Sequence, residues 1–77
     1  MINNRDEAIL KKFGNHLREL RLQQGLSQQR LGLIADISKN QIGNIERGEV
    51  NITLTTSVAI AKALKISVSR LLEVDLD

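Results

Sequence analysis

The sequence predicts an all-α fold of five helices. Apolar residues recur at the spacing of amphipathic helices, no stretch alternates like a strand, and a Ser or Thr able to cap a helix precedes four of the five. The 77 residues include no Pro and no Cys. This length suits one domain, so we expect residues 1–77 to form a single domain without disulfides.

The first helix is predicted from Asn4 to Gln24, and Gly25 ends it. Glycine is the residue that most readily adopts the left-handed conformation found after a helix. The helix carries one apolar stripe, formed by Ile9, Leu10, Phe13, Leu17 and Leu20.

Two short helices follow, each after a serine that can cap it. Ser27 precedes a helix predicted at 28–35, and Ser38 precedes one at 39–47, which Gly48 stops. Their predicted core residues are Leu31, Ile34 and Ala35 in the first and Ile42 and Ile45 in the second.

Two further helices complete the prediction. Thr53 can cap the fourth, and Ser67 can cap the fifth, predicted at 68–73. The apolar positions of the fourth are Leu54, Val58, Ala61 and Leu64, and those of the fifth are Leu71 and Leu72.

The two short helices have the sequence form of a helix-turn-helix. Helices that cross steeply need small residues where they meet, a turn residue that tolerates a left-handed backbone, and an apolar residue after it. These positions hold Gly32, Ala35, Asp36 and Ile37. An ordinary pair of helices would not specify these residues in this order.

Over residues 17–72 the chain resembles the Cro/C1-type (XRE-like) helix-turn-helix family of phage repressors and small bacterial regulators. The resemblance is carried by segments 17–21, 25–28, 42–48 and 60–67. It implies a five-helix, lambda-repressor-like DNA-binding domain with its helix-turn-helix at 28–47, whose third helix enters the major groove.

The chain departs from the family pattern at four positions. Arg30 stands where an acid often completes a capping box, and Lys65 replaces a usual glycine. Leu33 and Ile34 replace commonly polar residues. Leu33 could pack on the Ile9/Leu10 turn or meet a partner.

The third helix presents a polar face opposite its core residues, because each residue advances the helix by about 100°. This face consists of Asn40, Gly43, Asn44 and Arg47, flanked by Lys39 and Gln41. An asparagine can bond adenine through two atoms, and Gly43 would let the backbone approach the bases. The face is therefore predicted to read double-stranded DNA.

The resemblance adds backbone-contacting positions and an ion pair. Gln28 resembles a glutamine that bonds a phosphate, and Ser38, Arg47 and Asn51 match further positions of this kind. Glu46 lies on the inner side of the third helix and needs a partner there. Arg21, at the family's matching position on the first helix, is the predicted one.

Composition excludes several other functions. Phe13 is the only aromatic residue, His16 is the only histidine, and there is no cysteine, which excludes base-stacking sheets, zinc fingers and cysteine nucleophiles. No catalytic triad can be assembled, so we expect no enzyme activity, no cofactor and no metal. The start resembles no signal peptide and the longest apolar run is 58–61, so we expect a soluble cytoplasmic protein.

We expect a sequence-specific transcriptional regulator that binds a palindromic operator. Residues 11–47 hold seven Lys or Arg against three acids, which favours a polyanion there, whereas residues 73–77 are acidic. A homodimer is expected through the last helix and the residues after it, namely Val68, Leu71, Leu72, Val74 and Leu76.

The alternative is an antitoxin-like interaction module that neutralises a partner toxin through Leu33 and Ile34. Phage repressors, restriction-modification controllers and antitoxins that regulate their own genes share this type of domain. The sequence leaves these three open.

Overall fold

The computed structural model describes residues 6–75, and this part of the chain contains five α-helices and no strand. The predicted all-α fold is confirmed. The helices are α1 Glu7–Gln23, α2 Gln28–Ala35, α3 Lys39–Glu46, α4 Leu54–Ala63 and α5 Val68–Leu71.

The predicted caps are all present. Each of the four side-chain oxygens accepts from the main-chain N–H three residues on, and the N···O distances for Ser27, Ser38, Thr53 and Ser67 are 2.9, 3.0, 3.2 and 3.0 Å. Sequence analysis missed the cap of α1, where the side chain of Asp6 accepts from the N–H of Ile9 at 3.2 Å.

Four helix boundaries differ from the prediction, and one of them is the end of α1, which is Gln23 with Gln24 as its C-cap. The first helix begins at Glu7 and not at Asn4, which lies outside the described residues, because Asp6 is extended. Arg47 is the C-cap of α3 and not part of it. The fifth helix ends at Leu71 and does not reach residue 73, since the chain turns there and brings Val74 against the core.

The turns have the predicted left-handed residues. Asp36 and Lys65 both have φ of 59°, so each adopts the conformation that a glycine would adopt most easily. Asp36 ends α2 and directs the chain into α3, which packs across α2.

The core lies between helices that pack in pairs: α2 packs on α3 and α4, α1 packs on α3, and α5 packs on α4. Its largest fully buried side chains are Leu17, Leu31, Ile42, Ile45, Ile60, Leu64 and Leu71. The assignment of Ile34 to the core was wrong, because its side chain is substantially exposed. Three other predicted apolar positions are exposed as well, namely Ile9, Leu54 and Leu72. In α2 the buried face runs through Leu31 and Gly32 and leaves Ile34 at its edge.

Two glycines bring α1 onto the end of α3. A Cβ on Gly14 would lie 2.5 Å from the carbonyl oxygen of Ile45, so a side chain there could not be accommodated. Gly48 has φ of +73°, and a Cβ on it would lie 2.8 Å from the main-chain nitrogen of Lys11. The two backbones therefore touch, which fixes α1 beside the C-terminal end of α3.

Within residues 6–75, no helix is long and apolar enough to cross a membrane. The imidazole Nε2 of His16 lies 3.2 Å from the carbonyl oxygen of Arg70. No three His, Asp or Glu side chains of the described residues come together as a metal site.

Candidate nucleic-acid interface

The exposed face of α3 carries most of the side chains predicted to contact DNA. Ile42 and Ile45 are buried on the opposite face and anchor the helix in the core. The exposed or half-buried polar residues are Lys39, Asn40, Gln41, Asn44 and Arg47. Their amide and cationic groups can reach base edges and phosphates.

Gly43 is buried, whereas the sequence analysis predicted it on the exposed face of α3, where its backbone could approach the bases. It is buried beneath two side chains: a Cβ on it would lie 3.0 Å from Nη1 of Arg47 and 3.5 Å from Oε1 of Gln28. The missing side chain of Gly43 therefore makes room for the guanidinium of Arg47, which lies across α3.

Arg47 is hydrogen-bonded to Asn44, which is also predicted to contact DNA. Its Nη2 donates to Oδ1 of Asn44 at 2.5 Å, and its Nε donates to the carboxylate of Glu49 at 2.9 and 3.1 Å. The guanidinium is exposed, so these bonds compete with water and exchange readily. Asn44 and Arg47 thus form one unit on the surface of the free protein.

A buried ion pair braces the interface from behind. Nε of Arg21 donates to Oε2 of Glu46 at 2.6 Å, and Nη2 donates to Oε1 at 3.0 Å. Nη1 donates to the carbonyl oxygen of Leu26 at 2.6 Å. Hydrogen bonding to the carboxylate of Glu46 raises the pKa of Arg21, so the guanidinium stays charged although both residues are buried.

Gln28 joins the same carboxylate. Its Nε2 donates to Oε1 of Glu46 at 3.1 Å, so one side chain of α3 is bonded to α1 and to α2. As the first residue of α2, Gln28 also has a main-chain N–H that the helix leaves without an internal partner.

Ser38 and Asn51 lie at the borders of the face. The hydroxyl oxygen of Ser38 caps α3, and the residue is exposed. Asn51 shares a small cleft of about 130 Å³ with Gln41, so the structure brings these two predicted contacts together.

Sequence analysis missed a polar stripe on α1. Lys11, Asn15 and Arg18 line a cleft of about 390 Å³ together with Gln28, Glu46 and Arg47. Their spacing of four and three residues puts them on one face of a helix, and this periodicity could have identified them.

The residues predicted for a dimer interface are not equivalent. Leu71 is 0% exposed and fills the chain's own core, so its assignment to an interface was wrong. Leu72 is 49% exposed, Val68 and Val74 are half-buried, and Leu76 lies outside the described residues. An apolar cleft of about 270 Å³ is lined by Ile9, Leu10, Phe13, Asn51, Ile52, Leu72 and Val74.

Two apolar residues of α2 are exposed in the described part of the chain. Leu33 is 68% exposed and Ile34 is 47% exposed. Leu33 therefore does not pack on the Ile9/Leu10 turn.

The α2 and α3 pair, its left-handed turn and the polar face of α3 define a helix-turn-helix domain of the kind that binds DNA. Residues 17–71 match the family model described as helix-turn-helix. The chain belongs to the Cro/C1-type helix-turn-helix family, and the resemblance seen in the sequence is confirmed.

Three proteins of known designation are similar to the chain. Control protein C.SmaI of Serratia marcescens is 42% identical over 64 residues, which cover 83% of this chain and 76% of that protein. Control protein C.BamHI of Bacillus amyloliquefaciens is 36% identical over 62 residues, 79% of this chain and 76% of that protein. The crystal structure of the restriction-modification controller protein C.AhdI from Aeromonas hydrophila superposes with a TM-score of 0.79 at 40% identity, covering 80% of this chain and 94% of that one.

Proposed function

We propose that the protein is a transcriptional regulator of the restriction-modification controller type, which binds a palindromic operator as a homodimer. The chain is a sequence-specific DNA-binding transcriptional regulator by its family and by the regulators it is similar to. The restriction-modification controller type is a more specific proposal than a transcriptional regulator. It is supported by the similarity to two control proteins at 36% identity or more.

The polar face of α3 is the single observation that carries DNA binding. This face lies opposite the buried apolar face of α3. The position of α3 is fixed by the hydrogen bonds that Glu46 accepts from Arg21 and Gln28. A helix held in this way can enter the major groove without rearranging.

We assign the individual roles as follows. Asn40 and Asn44 contact bases, with Lys39 and Gln41 at their flanks, because amides and lysines can bond the acceptors and donors of base edges. The residues at the ends of the helices contact the DNA backbone and set the register, namely Gln28, Ser38, Arg47 and Asn51.

Dimer formation is supported by the apolar surface around the end of α5. Leu72 and Ile9 are exposed beside one apolar cleft, and a second copy would cover them. Two-fold symmetry would place two copies of α3 about 34 Å apart, which is one turn of DNA.

The antitoxin alternative is less well supported. Leu33 and Ile34 do form an exposed apolar pair, but the similar proteins are controllers and transcriptional regulators. We therefore expect no toxin to be needed for activity.

Selection of bound sequences from a random double-stranded pool tests the proposal. We expect a two-fold symmetric consensus, which is then used in gel shifts beside the DNA upstream of the protein's own gene. Recovery of no consensus, with no shift at low salt, would reject the regulator function. A consensus with no symmetry would reject the dimeric operator alone.

A further inference from the structure

The cleft between α1 and the C-terminal end of α3 is lined by three cationic side chains. Lys11 and Arg18 line it from α1, and Arg47 lines it from α3, in a volume of about 390 Å³. Lys11 and Arg18 are seven residues apart, so about two helical turns, or roughly 10 Å, separate them along one face. Asn15 lies between them, and both cations can reach the space above it.

The cleft is fixed by backbone packing, not by flexible side chains. Gly14 and Gly48 let α1 touch the end of α3, as the distances of 2.5 Å to Ile45 and 2.8 Å to Lys11 from a Cβ at these positions show. Any side chain at either position would push the helices apart and open the cleft. The backbone positions that carry the three cationic side chains are therefore set by the fold.

The charge of the cleft is suited to an anion. Among the described residues that line it, Glu46 is the one acid, and its carboxylate is paired with Arg21 at 2.6 Å. Gln28 brings the first turn of α2 to the rim, where main-chain N–H groups give the helix its positive end.

We propose that this cleft binds a phosphodiester of the double-stranded DNA backbone, with Lys11 and Arg18 as its cationic ligands and Asn15 as a hydrogen-bond donor. The inference rests on the proposed function and extends the contact surface from α2 and α3 onto α1. Because Gln28 and Arg47 lie on the same cleft, the strand that they contact passes directly over Asn15. The contact fixes the angle at which α3 enters the groove and carries no sequence information.

A double variant, Lys11→Gln with Arg18→Gln, tests the cleft in the full chain. The matched control is Lys62→Gln with Lys65→Gln, which removes the same charge on and after α4, outside the cleft. All four residues are exposed, and circular dichroism checks that both variants keep their helices.

We expect the cleft variant to lose the same factor of affinity for the selected operator and for random DNA. The slope of log affinity against log salt should become shallower by about one unit for each phosphate contact that is lost. The control variant should change the slope much less. Ethylation of the phosphate that the cleft contacts should weaken DNA binding by the wild-type protein. The same ethylation should not weaken DNA binding by the cleft variant, which has already lost that contact.

A single isosteric change tests the same point without altering either cation. Asn15→Asp places a carboxylate in the cleft, and we expect it to weaken binding to both DNAs by at least tenfold, while Asn15→Ala changes binding much less.

The outcomes separate the two proposals. If the wild-type protein selects a consensus but the cleft variant has the same salt slope as the control variant, the cleft does not bind a phosphate. The inference about the cleft then fails, while the proposed function stands. If the wild-type protein binds no DNA, the proposed function and the inference both fail.

Discussion

Arg21 makes three hydrogen bonds from a buried position, so its removal should be severe. Arg21→Met strands the carboxylate of Glu46 and leaves the carbonyl of Leu26 without this donor. We expect the free energy of unfolding to fall by about 3 to 5 kcal/mol. Chemical denaturation followed by circular dichroism measures it, because the chain has no Trp or Tyr.

The double change Arg21→Met with Glu46→Leu is the control for this prediction. It removes both charges and should cost much less than the single change, since no buried charge is left unpaired. A single variant as stable as the wild type would show that the pair contributes nothing to folding.

Substitutions of Asn44 and Arg47 should affect different quantities: the first the preference for the operator, and the second the affinity for any DNA. We expect Asn44→Ala to lose about 1 to 3 kcal/mol on the selected operator and little on random DNA, because it removes a base contact. Arg47→Ala should weaken both and lower the salt slope by about one unit. Equal losses of Asn44→Ala on both DNAs, measured by gel shift, would overturn this division of roles.

Which residues face outward on α3 could be predicted from the sequence, but the role of Gly43 could not. Helical periodicity depends on position alone, so it separates Asn40 and Asn44 from Ile42. The absence of a side chain at Gly43 is explained by the position of the Arg47 guanidinium above it. That position depends on the hydrogen bonds of Arg47 to Asn44 and Glu49. Periodicity contains no information on side-chain conformation.

Helix α1 can approach α3 only because position 14 is glycine. Gly14→Ala would place a Cβ against the carbonyl oxygens of Ile45 and Glu46, which belong to backbone and cannot move aside cheaply. We expect a loss of stability of about 1 to 3 kcal/mol, although alanine by itself favours a helix by about 1 kcal/mol over glycine.

The neighbouring change Asn15→Ala is the control for this element. It adds nothing at the contact and should leave the midpoint of thermal unfolding unchanged or slightly raised. A Gly14→Ala protein as stable as Asn15→Ala would mean that the two helices can separate freely at this point.

Helix starts that follow a predicted Ser or Thr cap were predicted more accurately than helix ends and buried faces. A start depends on a local bond, such as that from Arg30 N–H to Ser27, which the sequence displays directly. Burial depends on which neighbour covers a face. Periodicity gives the angle between Ile34 and Leu31 but does not show that α2 turns its Gly32 side toward α3.

The whole molecule is expected to dimerise through the apolar cleft beside Leu72. Leu72→Glu adds a charge at a residue that is 49% exposed, so the monomer should fold while association is lost. Sedimentation equilibrium at micromolar concentrations should show the wild-type dimer and a variant of 8.6 kDa.

Leu33→Glu is the matched control, since Leu33 is still more exposed but lies on α2. A dimer that survives Leu72→Glu and dissociates with Leu33→Glu would place the interface on α2. A wild-type protein that sediments as a monomer would reject a dimer formed without DNA.

The family and the arrangement of five helices were predictable because the signals lie in short segments. Which leucine of this region is buried was not predictable, because Leu71 and Leu72 are adjacent and equally apolar. Only the packing of the short α5 decides that Leu71 fills the core and Leu72 faces outward.

The carboxylate of Glu46 ties three helices to one point, since α3 provides it, Arg21 binds it from α1 and Gln28 binds it from α2. The surface that we propose to meet DNA is therefore preorganised, and we expect it to lose little conformational entropy when it docks. Its heat-capacity change on binding should correspond to the area buried, without the large negative excess of coupled folding. Because such a surface does not adapt to the DNA, we expect the ease with which each DNA sequence deforms to add to the discrimination made by the base contacts.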